Sequence, residues 1–206
     1  MALDPRPVIK AGSLTNLTDA RYFASFGVEM IGFHFDPYAE NYLPADLAAE
    51  IRGWLYGPRF VGEFRGVSKS DQAIADFVST VEKVKLEVVE CTPEDLAVVK
   101  SNWEGPIILA LNAEQIATAA TAVNDPQVDY VLLQVEDAQA AVAMAQLGDT
   151  KPVLLDSAHT VEGLSEMLPK AQPAGFNVRG GAEQQVGMKT FELLDPLMIY
   201  LVGDPS

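Results

Sequence analysis

The residues of this chain best able to do chemistry are carboxylates and imidazoles at the ends of short apolar runs: His34 and Asp36, Glu63, Glu87 and Glu90, Asp156 and His159. Such groups can ligate a metal or divide the roles of general acid and general base. A second feature is Arg179-Gly180-Gly181, with Ser157 as a further candidate contact. Glycine lets a ligand approach the backbone, and arginine offers a planar fork of donors to phosphate or carboxylate. Each feature also has a plainer reading. The chain carries 29 acidic residues, so some fall at every strand end, and Lys10 or Lys85 inside the fold could pair with Glu87 or Glu63. The histidines suit structural hydrogen bonding, and Gly-Gly suits an ordinary turn beside an exposed arginine. Cys91 precedes a helix start, where a thiol can be acidified, but no partner residue accompanies it. The expectation is a site without metal.

Composition narrows the partners. With 14 basic residues against 29 acidic ones the net charge is −15, and no Lys/Arg cluster occurs. That excludes nucleic acid and anionic membrane surfaces as expected partners. The single cysteine excludes a disulfide framework and points to a reducing compartment. MALDPRPVIK has no apolar core of a secretion signal, and no apolar run reaches membrane-spanning length. The expectation is a cytoplasmic protein.

The elements that must position these residues alternate regularly. Apolar runs at Val8–Lys10, Met30–Phe35, Arg59–Phe64, Lys83–Val89, Pro106–Leu111, Tyr130–Val135, Pro152–Leu155 and Gly175–Val178 predict eight strands. Helical stretches follow each. Asn16 or Thr18 caps the first, which stops at Gly27. The next span Ala45–Leu55 and Asp71–Val81. Thr92-Pro93-Glu94-Asp95 reads as a helix start, Asn112 caps a stretch to Val123, and Ala138–Leu147 and Val161–Leu168 follow, the latter capped by Thr160. A last stretch, about Phe191–Val202, is expected to be interrupted at Pro196 and either to close the fold or to meet a second subunit. Eight β–α units predict an α/β fold, a single-domain (β/α)8 TIM barrel over residues 1–206, with an open doubly wound sheet as the alternative. In such a barrel the reactive residues gather at the C-terminal ends of the strands.

Several segments resemble the phosphoribosylanthranilate isomerase family. They are Val8-Ile9-Lys10-Ala11-Gly12-Ser13-Leu14-Thr15-Asn16-Leu17-Thr18-Asp19-Ala20, then Phe26 through Pro37, Asn41-Tyr42-Leu43, Lys85-Leu86-Glu87, and Asn177 through Glu183 with Gly187 and Lys189. The resemblance implies a (β/α)8 barrel. It also implies an Amadori rearrangement of an aminoaldose phosphate in tryptophan biosynthesis, without metal or organic cofactor. It places a phosphate loop at Arg179, Gly180 and Gly181.

The chain departs from the family pattern at the reacting positions. The family's catalytic Cys after strand one falls on Gly12, and its Asp after strand six falls on Gln134. Its substrate-contacting Arg falls on Asn41, its strand-eight Asp on Asn177, and its Gly-Gly after strand seven on Ser157-Ala158. Neither glycine nor glutamine transfers a proton. The expectation is a diverged isomerase-like barrel, monomer or homodimer, that binds a small phosphorylated or anionic molecule, with the family's reaction lost or changed. The alternative is an active isomerase with Asp36, Glu63 or Asp156 as substitute acid and Ser13 or His34 as base. A third reading is a non-catalytic interaction protein.

Overall fold

The strands are short and β-branched because both their faces are buried, as parallel barrel strands require. In a computed structural model of the chain, residues 3–180, 191, 192 and 194–204 are described. The strands are β1 (Val8–Gly12), β2 (Met30–His34), β3 (Arg59–Glu63), β4 (Val88–Cys91), β5 (Ile107–Asn112), β6 (Val128–Gln134), β7 (Val153–Asp156) and β8 (Gly175–Arg179). They pair in parallel in sequence order, and β8 returns to β1 to close the barrel. The helices are α1 (Leu17–Ser25), α2 (Ala45–Gly53), α3 (Asp71–Val84), α4 (Leu96–Asn102), α5 (Ala120–Val123), α6 (Ala140–Leu147), α7 (Val161–Met167) and α8 (Asp195–Val202). The fold is the expected (β/α)8 barrel.

Side chains alternate along each strand, one set facing the helices and the other the barrel interior. The outward set, including Ile9, Ile31, Phe60, Val89, Leu109 and Phe176, forms the large core beneath the helices. The inward set changes character along most of the strands. Its lower half is apolar: Met30, Val61, Val88, Ile108, Leu132 and Leu154 form a separate core cluster. One inward position later come Lys10, Glu63, Glu90, Gln134, Asp156 and Asn177, joined by the paired register Glu63↔Glu90, Gln134↔Asp156, Asp156↔Asn177 and Lys10↔Asn177. The barrel thus stands on an apolar plug and carries a polar floor at its C-terminal mouth.

Several expected boundaries shift. β4 begins at Val88, because α3 runs on to Val84 and ends with Lys85 in the left-handed conformation at φ 55°. Lys85-Leu86-Glu87 therefore precede the strand; Lys85 and Glu87 are exposed, and the Glu87 carboxylate accepts from Phe60 N–H. Thr92-Pro93-Glu94 form a turn and α4 starts at Leu96, because Asp95 turns its carboxylate to other loops. Asn112 caps a 3-10 turn, Ala113–Gln115, and α5 is a single turn. Pro196 lies in the first turn of α8, where its missing N–H has no helical partner to lose. α8 buries Leu197, Met198 and Leu201, and Tyr22 O–H of α1 donates to its Asp195 at 2.8 Å.

Candidate functional site

The floor of the mouth is one hydrogen-bonded network. The Lys10 ammonium, 1 % exposed, donates to Glu63 at 2.5 Å and to Asn177 Oδ1 at 3.0 Å, and lies 3.0 Å from Glu90. Glu90 also accepts from Arg65 Nη2 at 2.5 Å. Glu63 takes two further bonds, from Ser13 N–H at 2.9 Å and Ser13 O–H at 2.5 Å. On the other side Asn177 Nδ2 donates to Asp156 at 2.8 Å, and Asp156 accepts from Arg179 at 2.6 Å and Gln134 at 3.3 Å. Three cations, Lys10, Arg65 and Arg179, face three carboxylates, Glu63, Glu90 and Asp156. The network therefore carries no net charge, which is the condition under which ions tolerate burial. Asn177 joins its halves, with its amide oxygen toward the ammonium and its amide nitrogen toward the carboxylate.

The electrostatics follow from this pairing. Burial pushes the Glu63 carboxyl up, but the Lys10 ammonium and the hydrogen bonds from Lys10 and Ser13 outweigh it and hold Glu63 below the ordinary glutamate range. Burial likewise lowers the Lys10 ammonium, and Glu63 and Glu90 raise it past its ordinary value. Glu63 is thus a fixed carboxylate and Lys10 a fixed ammonium. Burial, and secondarily the Arg65 charge, holds His34 below its ordinary value despite the pull of Glu63. The neutral ring accepts Asp36 N–H at Nδ1, 3.3 Å away, which leaves its proton on Nε2.

Gly12 lies inside this floor. A Cβ there would stand 2.3 Å from Asn177 Oδ1. The space that a base after β1 would need is filled by the amide that links Lys10 to Asp156. Gly32 is held open in the same way, since a Cβ would stand 2.1 Å from Glu63 Oε1.

Beside the floor a cleft of about 1000 Å³ opens over β6, β7 and β8, walled by Gln134, Glu136, Asp156, Arg179 and the first turns of α7 and α8. Its rim is fastened by a second cluster. Asp137 accepts from Ser157 O–H at 2.6 Å and lies 2.8 Å from His159 Nδ1, while His159 Nε2 lies 3.1 Å from Leu155 O. The His159 side chain is 1 % exposed, so this cluster clasps the loop after β6 to the loop after β7 and offers no free imidazole. Burial raises the Asp137 carboxyl, but the His159 and Ser157 hydrogen bonds hold it below its ordinary value.

The candidates from sequence thus separate. Ser13, His34, Glu63, Glu90, Asp156, Ser157, Arg179 and Gly180 gather at the mouth. Asp36 spends one carboxylate oxygen on Tyr38 N–H and shapes its own turn. Glu87 is removed from the site, and Cys91 is fully buried on the outer face of β4, its thiol pushed up to about 12 by burial. Gly181 lies outside the described residues, as do Ala182, Glu183, Gly187 and Lys189. Among the described residues no group of three or more His, Cys, Asp or Glu could hold a metal ion. Arg65 and Asp137 were not singled out by sequence; each lies two or three residues past a strand end, the one signal available.

No protein-family model matches the chain. An N-(5'-phosphoribosyl)anthranilate isomerase of Marinomonas sp. (strain MWYL1) is 23 % identical over 198 residues, spanning 90 % of this chain and 93 % of its own. The crystal structure of phosphoribosyl anthranilate isomerase from Thermus thermophilus superposes with a TM-score of 0.69 at 22 % identity, covering 93 % of this chain and 96 % of its own. Phosphoribosyl anthranilate isomerase in complex with reduced 1-(o-carboxyphenylamino)-1-deoxyribulose 5-phosphate superposes at 0.76 with 19 % identity, covering 96 % and 100 %. The Thermotoga maritima enzyme gives 0.76 at 17 % identity, with the same coverage. The family that the opening segments resemble is the one to which these relatives belong.

Proposed function

We propose that this chain is a diverged phosphoribosylanthranilate isomerase-like barrel that binds a small phosphorylated or anionic molecule at its mouth and no longer performs the isomerase reaction, or performs a changed one. The observation that carries the second half is Gly12. The base position has no side chain, and its space is taken by Asn177. The acid position is Gln134, an amide that donates to Asp156 and cannot transfer a proton. General acid and base catalysis contributes roughly 10²–10⁴-fold for each such group. The first half rests on the cleft over β6–β8, with Arg179 on its wall and Gly180 next to it in the chain, and on a relative whose solved complex holds a sugar-phosphate analogue.

The substitutes weighed from sequence fit poorly. Glu63 is locked as a carboxylate by Lys10 and Ser13, and Ser13 spends its proton on Glu63. Asp156 spends its carboxylate on Arg179, Asn177 and Gln134. His34 alone is neutral and half-buried at the mouth, and it is the group a changed chemistry would use. The chain would work in the cytoplasm as a monomer or homodimer. Soaking crystals in ribose 5-phosphate tests the binding half. The expected result is phosphate density beside Arg179 and Gly180; an empty cleft at saturating sugar phosphate would contradict it.

A further inference from the structure

The Asp156 carboxylate, 6 % exposed, is the meeting point of three N–H donors: Arg179 Nη2 at 2.6 Å, Asn177 Nδ2 at 2.8 Å and Gln134 Nε2 at 3.3 Å. One donor is permanently charged and two are neutral amides. That is also the donor set that an external carboxylate or phosphate recruits. The Arg179 side chain is still 55 % exposed and lines the cleft. We propose that Asp156 is a built-in occupant of the anion seat at the mouth, and that an external anion binds by taking Arg179 from it. This rests on the reading of the mouth as an anion site and adds what that site selects.

The exchange is feasible because Asp156 is not orphaned by it. When Arg179 turns to an incoming anion, Asn177 and Gln134 continue to satisfy the carboxylate. The exchange is also selective. A monocarboxylate offers Arg179 the same charge as Asp156 and must give up its own hydration and freedom to do so. A phosphate near neutral pH carries about 1.5–2 negative charges and three acceptor oxygens, so it competes better. Glu136 and Glu162, both exposed on the same cleft, repel any anion and raise the threshold further. The seat therefore passes dianions and refuses monoanions.

The test is a titration with inorganic phosphate, and separately with acetate, at matched ionic strength, followed by phosphorus NMR and calorimetry. Wild type is compared with Asp156→Asn and Arg179→Gln. The asparagine can keep an oxygen toward Asn177 and turn its amino group toward Arg179, releasing the guanidinium. Asp156→Asn is expected to bind phosphate at least about tenfold more tightly than wild type, the scale of one charged hydrogen bond. Arg179→Gln is expected to lose phosphate, and acetate to leave wild type unbound. If Asp156→Asn does not fold, Asp156→Ser repeats the comparison. Phosphate bound no more tightly by the Asp156 variants, while Arg179→Gln weakens it, would overturn the proposal and leave the anion site standing. Phosphate binding by none of the folded proteins would overturn the anion site itself.

Discussion

Lys10 holds two buried carboxylates at once, and the consequences of removing it follow from charge. In Lys10→Met the ions Glu63 and Glu90 stay buried without their shared cation, which costs about 3–5 kcal/mol. The loss is expected to shrink as pH falls, because the stranded carboxyls take up protons. Urea unfolding at several pH values checks this, and a penalty that stays constant or grows toward acid would contradict it. Wild type should behave oppositely. Glu63 is held below its ordinary value of 4.5, so its contribution is complete above that pH and fades as pH falls through the lower folded value. Gly12 gives a steric counterpart. Gly12→Ala drives a Cβ into the Asn177 amide and is expected to cost about 1–3 kcal/mol, whereas Gly53→Ala, with nothing within 4 Å, is expected to be neutral or slightly stabilising. Equal effects at the two positions would show that Asn177 moves aside freely. At this scale the sequence was partly legible. An interior lysine at Lys10 wants a carboxylate, and Glu63 was one of the two expected. The bond from Lys10 to Asn177 spans 167 residues, and nothing local signals it.

Loops, more than strands, decide where the functional residues point, and they are held by carboxylates that reach across elements. Asp95 is buried and accepts from Gly66 N–H at 2.7 Å, Ser68 N–H at 2.9 Å and Ser68 O–H at 2.8 Å, tying the loop after β3 to the start of α4. Burial raises its carboxyl, but these bonds, led by Ser68, hold it below its ordinary value of 3.8. Asp95→Ala leaves those donors short of a partner and is expected to cost about 2–3 kcal/mol. Hydrogen exchange should quicken at residues 66–69, next to Arg65. The wild-type contribution is complete above pH 3.8 and fades below it as the folded value is passed. Unchanged exchange in that loop would contradict the role. The sequence showed Asp95 as an acid in a helix's first turn, which is a local reading. Its partners lie 27 and 29 residues upstream, so the local rule placed α4 too early. The start of β4 was missed for a related reason. Lys83–Lys85 sit in an apolar run, yet Val84 packs into the core as the last turn of α3, and period alone does not separate a buried helix end from a strand.

The whole molecule bears a charge of −15 around a neutral mouth floor. Its acids are mostly on the outside, where they repel one another and where salt screens them. Raising sodium chloride from low to physiological strength is expected to lift the melting temperature by about 2–4 °C for each kcal/mol of repulsion relieved. A fall would mean that exposed ion pairs such as Lys83–Asp46 outweigh the repulsion. The barrel itself was legible from the count of β–α units, because alternation of short apolar runs and capped helices has few other solutions. The mouth was legible only as departures from the family pattern, at Gly12, Gln134 and Asn177, and the network that occupies it arises from contacts between distant strands. The central claim, that this floor fills the place of the family's acid and base, is tested most directly by complementation of a tryptophan auxotroph lacking the isomerase, with purified folded protein assayed in parallel on N-(5'-phosphoribosyl)anthranilate. The account predicts no growth and turnover indistinguishable from buffer. Growth, with turnover that follows the protein concentration, would contradict it.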